Sequence, residues 1–151
     1  MKVSKLMSRK LITVTPDDSV ERAVQLLRQR GVRHLLVLKD GRLVGIVSDR
    51  DLKRALDPAK VRKRKLLNLG GLFFLLEPFL IREIMSRDVV SIDPNATAQM
   101  AASLMLEMKF GALPVVKNNR LLGIITETDL LKYFAMSPPT NSGQGNARNN
   151  A

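Results

Sequence analysis

The phrase GIVSDRDL begins at Gly45 and returns as GIITETDL at Gly123, an offset of 78 residues. The same offset carries Met7-Ser8-Arg9 onto Met85-Ser86-Arg87, Pro16 onto Pro94, Ala23 onto Ala101, Leu26 onto Leu104, Val37 onto Val115, Arg42 onto Arg120 and Leu43 onto Leu121. No gap is needed from Met7 to Leu52. Self-similarity at one fixed period means that one supersecondary unit is used twice. The chain therefore divides into a repeat over 4–56, a connector over 57–82, a second repeat over 83–135 and a tail over 136–151.

Each copy carries the same succession of signals. LITVTP and VVSIDP are β-branched and end in proline, as short strands do. DDSVERAVQLLRQRG places Val20, Ala23, Val24 and Leu27 at helical spacing, with Asp17 or Asp18 expected as the cap and Gly31 as the stop. NATAQMAASLMLEMK repeats the face with Ala98, Ala101, Ala102 and Met105, and Met100 and Met108 are expected in the core beside it. Two strands follow in each copy, joined by Asp40-Gly41 or Asn118-Asn119, residues that tolerate the left-handed backbone of a two-residue hairpin. A last helix starts at Asp49 or Glu127. The unit is strand-helix-strand-strand-helix, and one copy alone is marginal. The expected fold is one α/β (α+β) module in which two copies, related by a pseudo-two-fold axis, pack sheet to sheet.

Composition removes several chemistries. The chain has no cysteine and a single histidine, His34, so thiolate chemistry is absent and a zinc site built on several histidines is not expected. No nucleophile–base pair or metal cluster stands out, so the chain reads as a non-enzyme. No apolar run reaches the roughly 18 residues of a spanning helix, and the N-terminus lacks a signal-peptide pattern, which predicts a cytoplasmic protein. The formal net charge is +11, and it is carried by residues 1–82; residues 83–151 hold equal numbers of acids and bases. Such a field attracts anions without choosing among nucleotides, nucleic acid and acidic lipid.

The doubled phrase has two readings. Ser48 with Asp51, and Thr126 with Asp129, have the spacing of a helix capping box. Capping boxes favour the longer Glu or Gln, however, and both copies have Asp. A glycine also opens both phrases inside a strand, which marks a bulge or a close approach by another backbone or a ligand. A helix N-terminus offers free N–H groups to phosphate, and an aspartate there accepts bonds from ribose hydroxyls. Hydroxyl, helix start and aspartate together point to a nucleotide site.

With VRHLLVLKDGRL and GALPVVKNNRL ahead of it, the doubled phrase resembles a tandem cystathionine-beta-synthase-type (CBS) domain pair, or Bateman module, over about residues 4–135. Within that family the chain is similar to short stand-alone pairs, including the acetoin-utilisation type. The resemblance implies a regulatory module that binds AMP, ADP, ATP or S-adenosylmethionine between the repeats, with magnesium accompanying ATP, and that forms a homodimer read by an unnamed regulated protein. One cleft would use Ser48 and Asp51 with Val90, Ser91 and Ile92. The other would use Thr126 and Asp129 with Ile12, Thr13 and Val14. Arg33, His34, Gly111 and Ala112 would line the clefts. Arg33 stands where the family often has a phosphate-facing base, whereas its counterpart is Gly111; Arg50 is matched by Thr128. The Asp51 cleft is therefore expected to favour phosphorylated ligands. His34 is a cleft-rim strand residue or a phosphate or ribose contact, with a pKa near neutrality.

The positive charge sustains a rival expectation of nucleic-acid or other polyanion binding, which the scarcity of aromatics for base stacking opposes. The connector AKVRKRKLLNLGGLFFLLEPFLI is expected as a helix extension and loop covering the repeat junction or a dimer interface; its basic and apolar runs also fit an acidic membrane surface, which its glycine pair opposes. The Pro-, Gly- and Asn-rich tail from Ser137 is expected to be disordered.

Overall fold

The computed structural model describes residues 1–57, 66–69, 72–75 and 79–137. A short helix α1 (Val3–Leu6) leads into the first repeat: β1 (Thr13–Val14), α2 (Val20–Arg30), β2 (His34–Lys39), β3 (Arg42–Ser48) and α3 (Asp49–Ala55). Strands β4 (Leu66–Leu69) and β5 (Leu72–Leu75) follow. A 3-10 turn at Ile81–Glu83 opens the second repeat, with α4 (Ala98–Met108), β6 (Ala112–Lys117), β7 (Arg120–Thr126) and α5 (Glu127–Met136). The chain is thus a pair of α/β units. The expected tail lies outside the described residues from 138 onward, and Met136 belongs to α5.

Local chemistry sets these elements. The β2–β3 and β6–β7 hairpins turn through Asp40 (φ 50°) and Gly41 (φ 74°), and through Asn118 (φ 50°) and Asn119 (φ 59°). Helix α2 is capped by Ser19, whose Oγ accepts from the Arg22 N–H at 3.2 Å. Neither Asp17 nor Asp18 is the cap: Asp18 accepts from the Thr15 N–H at 2.7 Å in the preceding turn, and Asp17 pairs with Arg82. Gly31 ends α2 in the left-handed conformation, and Lys109 takes that conformation at the end of α4. The first strand of each copy is shorter than its β-branched run. β1 pairs only Thr13 and Val14 with Leu36 and Val37, in parallel, and the second copy keeps one bridge, Ile92 to Val115.

Two expectations are corrected. The connector's apolar run is not a helix extension: β4 and β5 pair antiparallel, Leu66 with Leu75 and Leu69 with Leu72. Two four-residue apolar pieces either side of a glycine pair are too short for a helix and fit a hairpin. The rest of the connector, 58–65, 70–71 and 76–78, lies outside the described residues. Met100 and Met108 are 59% and 40% exposed, whereas Met105 is buried with Ala98 and Ala101. Met100 lies two positions from Ala98, about 200° around the helix, and so faces outward.

The leading segments of the two repeats are exchanged. Val3 and Ser4 donate to the carbonyls of Ala96 and Pro94, and Ser8 and Ile124 bond each other in both directions at 2.9 and 3.0 Å. In mirror fashion, Ile81 donates to the Asp18 carbonyl, and Ser86 and Ile46 bond each other in both directions at 3.0 and 3.1 Å. Val3 and Met7 consequently sit in the core of the second repeat with Ala101, Leu113, Val115 and Ile125. Ile81 sits in the core of the first with Val20, Ala23, Leu35, Val37 and Val47. The two phrase-opening glycines are explained here. A Cβ on Gly123 would lie 2.5 Å from the Ser8 carbonyl oxygen, and one on Gly45 would lie 2.7 Å from Met85 Sδ and 3.0 Å from the Ser86 carbonyl oxygen. Both glycines also sit beside a bulge, opposite Val37 and Val115. The close approach is by backbone from the other repeat.

Candidate functional site

Each doubled phrase ends a strand and starts a helix, and each closes a capping box. Asp51 Oδ2 accepts from the Ser48 N–H at 2.8 Å and from the Ser48 hydroxyl at 3.0 Å, while Ser48 Oγ accepts from the Asp51 N–H at 3.1 Å. Thr126 and Asp129 repeat this at 2.8, 3.0 and 3.3 Å. The shorter Asp therefore does close the box, through one oxygen. Oδ1 of each carboxylate stays outside it. The start of the preceding strand is tied to the same spot: the Asp49 N–H donates to the Arg33 carbonyl at 2.9 Å, and the Glu127 N–H to the Gly111 carbonyl at 3.0 Å.

A cavity of about 350 Å³ opens at the first of these boxes, between the repeats. The first repeat contributes Arg33, His34, Ser48, Arg50 and Asp51, with Ile46, Asp49 and Arg54 beside them. Val90, Gly111 and Ala112 come from the second, with Asp88, Lys109, Phe110 and Glu127 around them. Eight of the residues named from the sequence meet here. Four cations and four carboxylates line the cavity: Arg33, Arg50, Arg54 and Lys109, with Asp49, Asp51, Asp88 and Glu127. Arg54 follows Arg50 by four residues, so helical spacing could have revealed it. Lys109 arrives through its left-handed backbone at the end of α4, for which a lysine gives no sequence signal.

His34 stands at the meeting of the repeats. Its Nε2 would be 3.2 Å from a Cβ on Gly111, so the glycine leaves room for the imidazole. Burial lowers the His34 pKa from its ordinary 6.5; Asp49, Glu127 and Asp51 oppose the shift and Arg33 adds to it.

The remaining named residues lie elsewhere. Ser91 is exposed. Ile92 and Val14 are buried in the two cores, and Ile92 spends both backbone groups on Pro114 and Val116. Ile12 and Thr13 line a second cavity, of about 330 Å³, with Lys10, Leu11, Arg22, Leu26 and Arg30. Thr126 and Asp129 line neither of these two cavities. Among the described residues there is no group of three or more His, Cys, Asp or Glu that could hold a metal ion, and no helix is long and apolar enough to cross a membrane.

The paired α/β units form an architecture that known proteins share. The CBS-domain family model matches twice, over residues 3–58 and 81–136. The chain is a CBS-domain pair. Among solved structures, this CBS pair is similar to that of protein MJ0100 in complex with 5′-methylthioadenosine and S-adenosyl-L-methionine, with a TM-score of 0.74 and 26% identity, covering 89% of this chain and 96% of that one. It is also similar to a candidate acetoin utilization protein (AcuB) from Vibrio cholerae, with a TM-score of 0.73 and 29% identity, covering 89% and 92% of the two chains. An uncharacterized Methanocaldococcus jannaschii protein, MJ1404, is 34% identical over 142 residues, which is 89% of the CBS pair but only 32% of that relative's length. The pair spans less than half the length of the first three curated relatives it matches.

Proposed function

We propose that this CBS pair is a regulatory sensor that binds an adenosine-containing ligand in the Asp51 cleft and changes the relative setting of its repeats or of two copies. The observation that carries this reading is the 350 Å³ cavity lined by both repeats around one capping-box carboxylate. Asp51 Oδ1 lies free of the box and suits a ribose hydroxyl. The guanidinium groups of Arg50, Arg54 and Arg33 suit an anionic group. The balance of four cations and four carboxylates fits a ligand that carries both a hydroxylated sugar and a charge. It disfavours a bare polyanion, and with it the nucleic-acid reading. The adenosine compounds bound to the MJ0100 pair support the ligand class. The cations suit the phosphates of AMP, ADP or ATP, and the carboxylates suit the sulfonium of S-adenosylmethionine, so the charges of the lining accept either kind of adenosine compound. A ligand that touches both repeats shifts their orientation by its differential affinity for the two settings. Exposed Met100, Leu106, Leu131 and Phe134 on α4 and α5 support a homodimer through the second repeat.

Isothermal titration calorimetry with AMP, ADP, ATP, NAD and S-adenosylmethionine tests the reading, with light scattering on the same samples for the dimer. Micromolar binding of an adenine nucleotide should be lost in Asp51→Ala and kept in Asp129→Ala, since the Asp129 box lines neither of the two cavities described. Loss of binding in Asp129→Ala alone, or no binding by any compound, would sink it.

A further inference from the structure

The second cavity belongs to neither capping box, and its chemistry differs. One wall is the segment Lys10–Thr13, which runs into β1, the outer strand of the sheet order β1-β2-β3. The other wall is α2, through Arg22, Leu26 and Arg30. These three stand at i, i+4 and i+8, one row along the helix, so the two guanidinium-bearing positions are about 12 Å apart with a leucine between them. Lys10, Arg22 and Arg30 are exposed, and no ion pair to any of them occurs among the described residues. The second repeat does not preserve this arrangement. At the 78-residue offset, Met100, Leu104 and Met108 replace Arg22, Leu26 and Arg30, and Asp88 replaces Lys10. The basic row is a property of one repeat, not of the unit.

We propose that the groove between β1 and α2 docks an extended acidic segment of a partner protein, with one apolar side chain seated over Leu26 and a carboxylate on either side. Backbone positions about 12 Å apart along the helix present a row of charges that an extended acidic chain can follow. An extended chain advances about 3.3 Å per residue, so side chains four residues apart match the spacing of Arg22 and Arg30. An outer strand offers backbone groups to an incoming strand, the mode in which a peptide extends a sheet. Leu11, Ile12 and Leu26 supply an apolar floor that a phosphate backbone does not need, and no aromatic residue lines the groove for a base to stack on. The site stands apart from the Asp51 cleft and does not rest on nucleotide binding.

The probe is a fluorescein-labelled Glu-Glu-Leu-Glu-Glu peptide, followed by anisotropy and by amide chemical shifts of the full chain. Saturable binding should move the resonances of residues 10–13 and 22–30 and leave Asp51 and its neighbours in place. Binding should weaken at least tenfold in the double variant Arg22→Gln/Arg30→Gln, whose exposed side chains are not needed for the core. It should weaken likewise when the peptide's leucine becomes glycine or its glutamates become glutamines, and it should survive Asp51→Ala. Equal affinity for the glutamine peptide, or shifts centred on the Asp51 cleft, would overturn the proposal. So would tighter binding of a ten-residue oligothymidylate to the same row, which would assign the row to nucleic acid.

Discussion

Gly123 and Gly45 occupy equivalent positions and face equivalent neighbours at different distances, and the difference is measurable. A Cβ at 123 meets a backbone carbonyl oxygen at 2.5 Å, whereas one at 45 first meets the flexible thioether of Met85 at 2.7 Å. A thioether can rotate away, and the paired Ser86 carbonyl at 3.0 Å from a Cβ at 45 needs a smaller shift than the paired Ser8 carbonyl at 2.5 Å from one at 123. Gly123→Ala should therefore cost more than Gly45→Ala, within the roughly 1–3 kcal/mol of core overpacking, and urea unfolding of the two variants would show the order. His34 gives a second prediction. Its folded pKa is below the ordinary 6.5, so the unfolded chain binds the proton more readily. The contribution of neutral His34 is fully present above that value and is lost as pH falls through it toward the folded pKa. Stability should decline on acidification below about 6.5, and His34→Gln should flatten that part of the profile, as followed by thermal melts between pH 5 and 8. At this scale the sequence was informative where chemistry repeats. Ser48, Asp51, Arg33 and His34 were legible because a pattern named them. Lys109 and Asp88 were not, because they reach the cavity through tertiary placement.

Helix α4 shows where periodic reasoning holds and where it slips. Ala98, Ala101 and Met105 define its inward face, as their spacing indicates, but composition drew Met100 and Met108 into the same reading although their angles place them away from its centre. The caps show a related limit. Ser19, not Asp17 or Asp18, starts α2, because both aspartates are taken by other partners. The first strands are shorter than their β-branched runs, because β-branched content reports propensity, while pairing is limited by what β2 and β6 offer. The glycine pair inside LLNLGGLFFL carried a hairpin signal that the basic run before it obscured. The end of α4 yields the prediction at this scale. Lys109 holds a left-handed backbone at φ 57°, where a non-glycine residue costs roughly 1–2 kcal/mol. Lys109→Gly should raise the unfolding free energy by about 1 kcal/mol, after its cost in unfolded-chain entropy. The same change should weaken binding of any anion in the Asp51 cleft; calorimetric melting and ligand titration would separate the two effects.

Across the whole molecule, stability is shared crosswise. Removing residues 1–8 would take Val3 and Met7 out of the second repeat's core and leave Gly123 facing no backbone partner. Buried aliphatic side chains each contribute about 1.5–3 kcal/mol, against a total of about 5–15 kcal/mol for a domain. Hydrogen exchange on the truncated chain should show lost protection in β6 and β7, with β2 and β3 better preserved, although the deleted segment adjoins β1. Equal loss in both sheets would mean that the repeats unfold as one unit. The recurrence of Met-Ser-Arg at 7 and 85 carried the signal for this exchange. A linear offset says which residues are equivalent but not which copy each one joins, so the recurrence alone indicates a repeat and not an exchange.

The crossed leaders also constrain descent. A lone unit of this kind has a leader with no second core to enter and a core with no leader to fill it. Two identical units would satisfy each other by trading segments, as in a domain-swapped pair. Gene duplication and fusion would then join partners that were already interlocked. In that history the connector is a tether added to an existing embrace, and so it is free to diverge while the phrases at Gly45 and Gly123 are held to the neighbour's backbone.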